Sequence, residues 1–131
     1  MTDAKRPENY TGLWVSTNDA DAFMRYEQEF QDGVENGRYR QIDIRTNVAL
    51  REGFKVDGLD HGQVTLRNSD GKVLSTYMFN YGTGTHLIFT AGDRVGWEIP
   101  YENGKVHGVR RRFEFGKLVA EDRFERGKLV G

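Results

Sequence analysis

The sequence predicts an all-β protein, an antiparallel meander of about nine to ten short strands, on three observations. Turn residues recur 10 to 14 positions apart, at Gly33, Asn47, Gly58, Gly71, Gly82, Gly92, Gly104, Gly116 and Gly127. Between these markers apolar and polar residues alternate, with the two-residue period of a strand. The composition agrees, because the chain contains 16 glycines, 12% aromatic residues and two prolines.

Length, charge and cysteine content limit the kind of protein. At 131 residues the chain is predicted to form a single all-β domain, with a polar N-terminal tail over residues 1–9. A net charge of −1 gives no electrostatic footprint for nucleic acid. The absence of cysteine removes disulfides, thiolate nucleophiles and cysteine-based zinc sites. No apolar run is long enough for a membrane span, so we expect a cytoplasmic protein with no membrane partner.

The N-terminal third holds one ambiguous segment. Tyr10 to Thr17 has strand composition, and a turn is predicted at Asn18 to Asp21. The next segment, Ala22 to Gln31, contains good helix formers behind a possible cap, but its residues also alternate and run directly into the turn at Gly33. We predict a strand there, with a helix as the alternative.

A longer period lies on top of the turn spacing. The pattern Gly-x-x-x-Gly occurs five times, at Gly33–Gly37, Gly58–Gly62, Gly92–Gly96, Gly104–Gly108 and Gly127–Gly131. Four of the first glycines lie near multiples of a hairpin unit of 23–25 residues. Such a period indicates a repeat array. His61, His107 and Asn36 each stand directly before the second glycine, so we interpret them as turn residues and predict no metal site.

The two ends of the chain carry the clearest repeats, YENGKVHGVRRRFEFGKLVAEDRFERGKLVG at residues 101–131 and EFQDGVENGRYRQ at residues 29–41. These segments resemble the MORN repeat, especially its bacterial variant form. The resemblance implies hairpins in a single antiparallel sheet. It also implies a role as an adaptor, a scaffold or an antitoxin-like protein.

The start of the chain resembles a different group. Tyr10-Thr11-Gly12-Leu13-Trp14 has the spacing Tyr-x-Gly-x-Trp, and this looks like the first-strand motif of the calycins, which include lipocalins, fatty-acid-binding proteins and avidins. That resemblance implies a closed barrel in which a basic residue from a late strand covers the tryptophan. Arg111, Arg123 and Arg126 are candidates for that residue.

The alternation predicts strands with one apolar face, such as Leu50, Phe54 and Val56 in one strand. An apolar sheet face must be buried against something, and no second helix is predicted to cover it. Closing the sheet on itself covers the face and removes the open edges. We therefore predict a closed or nearly closed calycin-like barrel. The alternative is an open MORN-like single sheet covered by dimerisation or by a partner.

Polar residues that share the apolar face are the candidate site. Glu52, Arg111 and Asp122 occupy such positions, and Arg111 and Asp122 stand five and six residues from Gly116, as cross-strand or diagonal neighbours would. We predict that they grip a carboxylate or carbonyl group, with Glu52 as a general base. The alternative is an internal ion pair, or a bulge that returns these side chains to water. The predicted ligand-binding residues are Tyr26, Gln28, Phe54, Met78, His86, Trp97, Tyr101 and Phe113.

Two functions from different classes follow. The first is a barrel that binds a small, largely apolar or amphipathic molecule in a cavity near Tyr26, Glu52, Trp97 and Arg111, without a cofactor, as a monomer or homodimer. Isomerase, cyclase or lyase-type acid–base activity on that molecule stays open. The second is a non-enzymatic MORN-like module, of the antitoxin, immunity or adaptor kind, whose sheet face binds a partner protein.

Overall fold

The protein, described by a computed structural model over residues 6–18 and 21–131, consists of β-strands and turns in that part of the chain. Paired strands are antiparallel, which confirms the all-β meander. The segment from Ala22 to Gln31 is a strand, as predicted. Residues 1–5 of the predicted tail and residues 19–20 of the predicted turn lie outside the described residues. The chain divides into two compact units, Met1–Met78 (unit 1) and Phe79–Gly131 (unit 2).

Unit 1 is built on one sheet with the strand order β1-β2-β3-β4-β6-β7, and β5 pairs with β4. The last strand of this sheet ends at Phe79, which is the first residue of unit 2. The strands are β1 (Gly12–Asn18), β2 (Asp21–Gln31), β3 (Val34–Asp43), β4 (Val48–Val56), β5 (Leu59–Asp60), β6 (Gly62–Arg67) and β7 (Val73–Phe79).

Unit 2 is built on a second sheet with the order β10-β9-β11-β12-β13, and β8 pairs with β9. No strand pairing among the described residues closes either sheet on itself, so barrel closure stays a prediction. In the same part of the chain, no helix is long and apolar enough to cross a membrane. The strands are β8 (Gly84–Thr90), β9 (Arg94–Glu102), β10 (Lys105–Val106), β11 (Gly108–Glu114), β12 (Lys117–Glu125) and β13 (Lys128–Leu129).

The turns lie where the sequence predicts them. All nine marker residues have positive φ. In six of the turns the residue before the glycine also has positive φ, which gives the two-residue type I′ hairpin that matches the strand twist. These residues are Asp32, Asp57, Tyr81, Asn103, Phe115 and Arg126.

Successive hairpin turns in unit 1 are joined by a pair of hydrogen bonds, which we call a rung. The N–H of Gly33 donates to the carbonyl of Tyr10 (2.9 Å), and the N–H of Asp32 donates to Oγ1 of Thr11 (2.9 Å). The second rung joins Gly58 to the carbonyl of Glu35 (2.8 Å) and Asp57 to Oδ1 of Asn36 (2.8 Å). The rungs show that hairpins about one repeat apart stack in register.

Unit 2 repeats the arrangement. The N–H of Gly104 donates to the carbonyl of Gly82 (3.0 Å), and that of Asn103 to Oγ1 of Thr83 (3.1 Å). The last rung joins Gly127 to the carbonyl of Val106 (2.8 Å) and Arg126 to Nδ1 of His107 (3.1 Å). His107 therefore accepts a turn N–H, as Asn36 does in unit 1. His107 lies between β10 and β11, whereas Asn36, interpreted as a turn residue, lies within β3.

The first rung also places the start of the chain. Thr11-Gly12 stands where Asn36-Gly37 and His107-Gly108 stand in later hairpins, because each residue before the glycine accepts the N–H of the following turn. Tyr10 packs edge-on against Trp14, with ring centroids 5.3 Å apart. The Gly-x-Trp spacing thus has an explanation within the repeat itself.

Among the described residues few apolar side chains are buried, and most of these lie in unit 1. Phe30, Ile42, Val64 and Leu66 are its buried apolar residues, and Phe79 is that of unit 2. Arg6, in the predicted tail, lies over the Phe30 ring at 3.7 Å.

Candidate functional site

The strand register assigns each residue of unit 1 to one face of the sheet. Cross-strand pairing sets Gln28 beside Tyr39, and Tyr39 beside Gly53. Tyr26 lies two residues before Gln28 on β2. Because side chains alternate between faces, the predicted residues Tyr26 and Gln28 both lie on this face, which we call the Tyr39 face.

The opposite face of unit 1, the Glu52 face, carries the other predicted residues. Pairing places Glu27 beside Arg40 and Arg40 beside Glu52, and Phe54 lies two residues further along β4. A cavity shared by Tyr26 and Glu52 is therefore not formed, since the sheet itself separates them. Met78, predicted for the lumen, is 65% exposed, and its neighbour Phe79 is buried instead.

The Tyr39 face contains a polar network that is structural. The Tyr39 ring occupies the space that a side chain at Gly53 would need, since a Cβ there would stand 2.7 Å from the ring. Lys55 lies 5.5 Å from the ring centroid and pairs with Asp60 at 3.4 Å. Burial, and secondly the nearby Asp60 carboxylate, raise the pKa of the Tyr39 phenol above its ordinary value. Arg51 Nη1 donates to the Tyr77 hydroxyl at 2.7 Å.

The Glu52 face bears two adjoining grooves of about 270 Å³ each. Arg38 lines both of them. The first groove brings the predicted residues Glu52 and Phe54 together. Its lining is Arg38, Glu52, Gly53, Phe54, Gln63 and Thr65. The second is lined by Leu13, Glu27, Glu29, Arg38 and Arg40.

In unit 2 the register separates Trp97 from Arg111. One row runs from Ile88 through Trp97 and Arg112 to Ala120, and the next from Leu87 through Glu98 and Arg111 to Glu121. Adjacent rows point to opposite faces, which we call the Trp97 face and the Arg111 face. The predicted cavity near Trp97 and Arg111 is therefore not formed.

Arg111 does not contact Asp122, and the structure has a bulge in this strand pair, which was part of the alternative. Arg110 Nη2 binds Asp122 Oδ2 at 2.8 Å, whereas Arg111 Nε binds Glu121 Oε2 at 2.9 Å. A bulge between β11 and β12 shifts the register by one residue, so that Asp122 stands opposite Arg110.

Sequence reasoning missed Arg110 as the cation on the Trp97 face. Its guanidinium carbon lies 4.8 Å from the ring centroids of both Trp97 and Phe124. This is the spacing of a cation held between two aromatic faces. The signal was available, because Arg110 follows Gly108 by two residues, as Trp14 follows Gly12 and Tyr39 follows Gly37.

His86 and Tyr101 are brought together as predicted, but in an aromatic cluster. The Phe79 ring lies 4.3 Å from His86 and 6.2 Å from Tyr101, and His86 lies 5.4 Å from Tyr101. Phe79 is 3% exposed, so the cluster forms the core of unit 2.

Two predicted residues of unit 2, Trp97 and Phe113, line a groove of about 530 Å³, which we call the Trp97 groove. The guanidinium of Arg112 lies 6.0 Å from the Trp97 ring centroid and pairs with Glu114 at 2.7 Å. The groove is lined by Thr90, Ala91, Arg94, Gly96, Trp97, Arg112, Phe113, Glu114 and Phe115.

Phe115, at the rim of this groove, is unusual. Its side chain is 86% exposed, and its φ of 51° puts it in the left-handed region. That conformation is uncommon for a bulky residue and suits asparagine, aspartate and glycine. Asp32, Asp57 and Asn103 occupy the same place in three other hairpins, and Tyr81 and Arg126 occupy it in the remaining two.

Within its own unit, each predicted catalytic residue is held in an ion pair with a residue outside the predicted catalytic set. Glu52 pairs with Arg67 at 2.8 Å, and Asp122 and Arg111 hold the separate pairs described above. Within unit 2, Arg111 and Asp122 point to opposite faces. Comparison of the chain with protein-family models, curated proteins and solved structures gave no match.

Proposed function

We propose that the protein is a non-enzymatic protein-binding module whose Trp97 groove receives a segment of a partner protein. The observation that carries the proposal is Phe115. An aromatic residue in a left-handed turn costs backbone strain, and at 86% exposure it returns no burial energy to the isolated chain. A residue that is unfavourable for folding and lies beside a groove is best explained by contact with a partner.

The lining of the groove indicates the chemistry of that segment. Tryptophan, phenylalanine and arginine are the residues enriched where proteins bind each other tightly. Arg94 and Arg112 stand against one acidic residue, Glu114, which leaves the groove with one excess positive charge. We therefore propose a segment with a carboxylate side chain next to an apolar or aromatic one.

The placement of the other predicted residues favours this function over a ligand-filled lumen. In each unit the residues expected around one cavity lie on opposite faces of a sheet. The grooves are open, so they suit a polypeptide segment better than an enclosed small molecule. An open sheet of MORN-like hairpins, in the antitoxin, immunity or adaptor class, is the architecture that fits this use.

Photo-crosslinking tests the proposal. Phe115 is replaced by p-benzoylphenylalanine, and cells that produce the protein in its natural setting are irradiated. The matched control carries the same residue at Tyr81, which occupies the same turn position in unit 2 and is 54% exposed. We expect a discrete protein adduct from position 115 and none from position 81, and Arg112→Glu should abolish it.

The opposite result is equally concrete. Indistinguishable adduct patterns from positions 115 and 81 would remove the groove as a specific interface. Native mass spectrometry of the freshly purified protein would then decide for the alternative, if it showed a small molecule that is lost on denaturation.

A further inference from the structure

We propose that unit 1 carries a separate binding site, at Arg38 on the Glu52 face, for a carboxylate group attached to an apolar side chain. The site goes beyond the proposed function, because binding at Arg38 requires no partner in the Trp97 groove. It rests on the charge balance of this face and on the two grooves that meet at Arg38.

Two of the three glutamates around Arg38 are already in ion pairs with other arginines. Glu27 binds Arg40 at 2.6 Å and Arg25 at 3.3 Å, and Glu52 binds Arg67 at 2.8 Å. Glu29 Oε1 accepts the backbone N–H of Arg38 at 2.6 Å. In the part of the chain that the structure describes, the Arg38 guanidinium has no hydrogen bond and no ion pair.

The net charge of the residues around Arg38 indicates the charge that a ligand should carry. The four arginines of this group, Arg25, Arg38, Arg40 and Arg67, face three glutamates, Glu27, Glu29 and Glu52, which leaves a net charge of +1. A singly charged carboxylate neutralises this excess. A doubly charged phosphate would be repelled by the glutamates that remain close by. The planar guanidinium also matches a carboxylate in bidentate geometry.

The rest of the lining supplies polar and apolar contacts. Thr65 is buried on this face, and its hydroxyl accepts a bond from Gln63 Nε2 at 3.4 Å. The hydroxyl hydrogen of Thr65 and the second N–H of Gln63 can therefore donate to a ligand in the groove. Phe54 and Leu13 line the two grooves and are 42% and 49% exposed. A few convergent polar groups beside exposed apolar surface are typical of a ligand site.

The test is an NMR titration of the full chain with nitrogen-15 labelling. The probe is N-acetyl-L-leucine, and its control is N-acetyl-L-leucinamide, which keeps the side chain and lacks the charge. We expect saturable shifts of the Arg38 Nε–Hε and Gln63 side-chain amide signals, with a Kd of about 1 to 10 mM for a ligand of this size. The amide should bind at least about tenfold more weakly.

Two variants assign the effect to Arg38. Arg38→Gln should abolish the saturable shifts, while its spectrum shows directly that the chain is folded. Arg111→Gln, which removes an exposed strand arginine in unit 2, should leave them unchanged. A further probe, N-acetyl-aspartyl-leucinamide, separates two sources of the carboxylate. Binding of this probe indicates recognition of an acidic side chain, and binding of N-acetyl-L-leucine alone indicates a terminal or free carboxylate.

The site does not exist if the amide shifts the same signals equally, if Arg38→Gln retains the titration, or if no signal moves at about 50 mM probe. These outcomes are independent of crosslinking at Phe115. Failure of either experiment therefore leaves the other conclusion standing.

Discussion

The two units share their turn rungs but differ in the side chain that stands two residues after a repeat glycine. In unit 1 the position two residues after the repeat glycine holds Tyr39, whose ring fits over Gly53. In unit 2 the same position holds Arg110, between Trp97 and Phe124. The comparison shows that the backbone ladder sets where a side chain points, and that the neighbouring strands decide which side chain is stable there.

The compensation differs accordingly. The hydroxyl of Tyr39 lies near a carboxylate, that of Asp60, which itself pairs with Lys55. The cation of Arg110 is stabilised by two rings and by Asp122, which offset the cost of removing a guanidinium from water. The first arrangement is sensitive to alkaline pH and the second to loss of an aromatic or acidic neighbour.

The largest effect is expected where a rung itself is broken. At Gly82, with a φ of 86°, a Cβ would stand 2.5 Å from the backbone nitrogen of Gly104. Gly82→Ala therefore adds displacement of the rung to the ordinary strain of a left-handed alanine. We expect it to lower the free energy of unfolding of unit 2 by about 3 kcal/mol.

Gly116→Ala is the matched control, because Gly116 has a similar φ of 78° and open space around its Cβ. It should cost only the backbone strain, about 1 kcal/mol. Urea denaturation followed by Trp97 fluorescence in a Trp14→Phe background measures both variants. Equal losses would show that the rungs add nothing to the turns they join.

A smaller loss of stability is expected when Arg110 of unit 2 is replaced. Arg110→Ala removes the stack with two rings and leaves Asp122 without its partner, so we expect a loss of about 2 kcal/mol. Arg111→Ala removes an exposed pair on the opposite face and should cost less than about 0.5 kcal/mol. Denaturation with the same fluorescence probe compares them. If Arg111→Ala were the more damaging variant, Arg111 rather than Arg110 would be the arginine that stabilises unit 2.

The turns of the fold were predictable because their chemistry is local. Glycine and asparagine are the residues that most readily adopt positive φ, so their positions in the sequence predict the turns. All nine predicted turn residues have positive φ in the structure. The segment from Ala22 to Gln31 was predicted as a strand for a similar reason, since a two-residue turn at Asp32-Gly33 follows it directly.

The faces were not predictable from alternation alone. Register shifts interrupt the pairing of β2 with β3, β3 with β4, β8 with β9 and β11 with β12. Each irregularity moves one strand by one or two residues against its neighbour, and its position depends on contacts between distant residues. This is why Arg111 and Asp122 were predicted to meet, while Arg110 holds the aspartate. Counting from Gly108 instead of Gly116 would have avoided the error. Arg110 follows Gly108 by two residues, as Tyr39 follows Gly37, and the rungs fix the position of these glycines.

The stability of unit 1 at alkaline pH distinguishes Tyr39 from Arg110 most clearly. Because burial, and then Asp60, raise the pKa of Tyr39, the folded chain keeps the phenol proton at a pH where the unfolded chain releases it. The contribution of Tyr39 to stability is complete below about pH 10 and is lost as the pH rises further. Between the two pKa values the free energy of unfolding should fall by about 1.4 kcal/mol per pH unit.

Urea denaturation at pH 9 to 11, followed by Trp14 fluorescence in a Trp97→Phe background, measures this slope. Tyr39→Phe should flatten it, because the variant has no phenol proton to release. Asp60→Asn should retain most of the slope, because burial rather than the carboxylate is the larger cause. If Asp60→Asn flattened the slope as fully as Tyr39→Phe, charge repulsion would be the main cause. Tyr39 would then depend on a charged neighbour as Arg110 does, and this difference between the units would disappear.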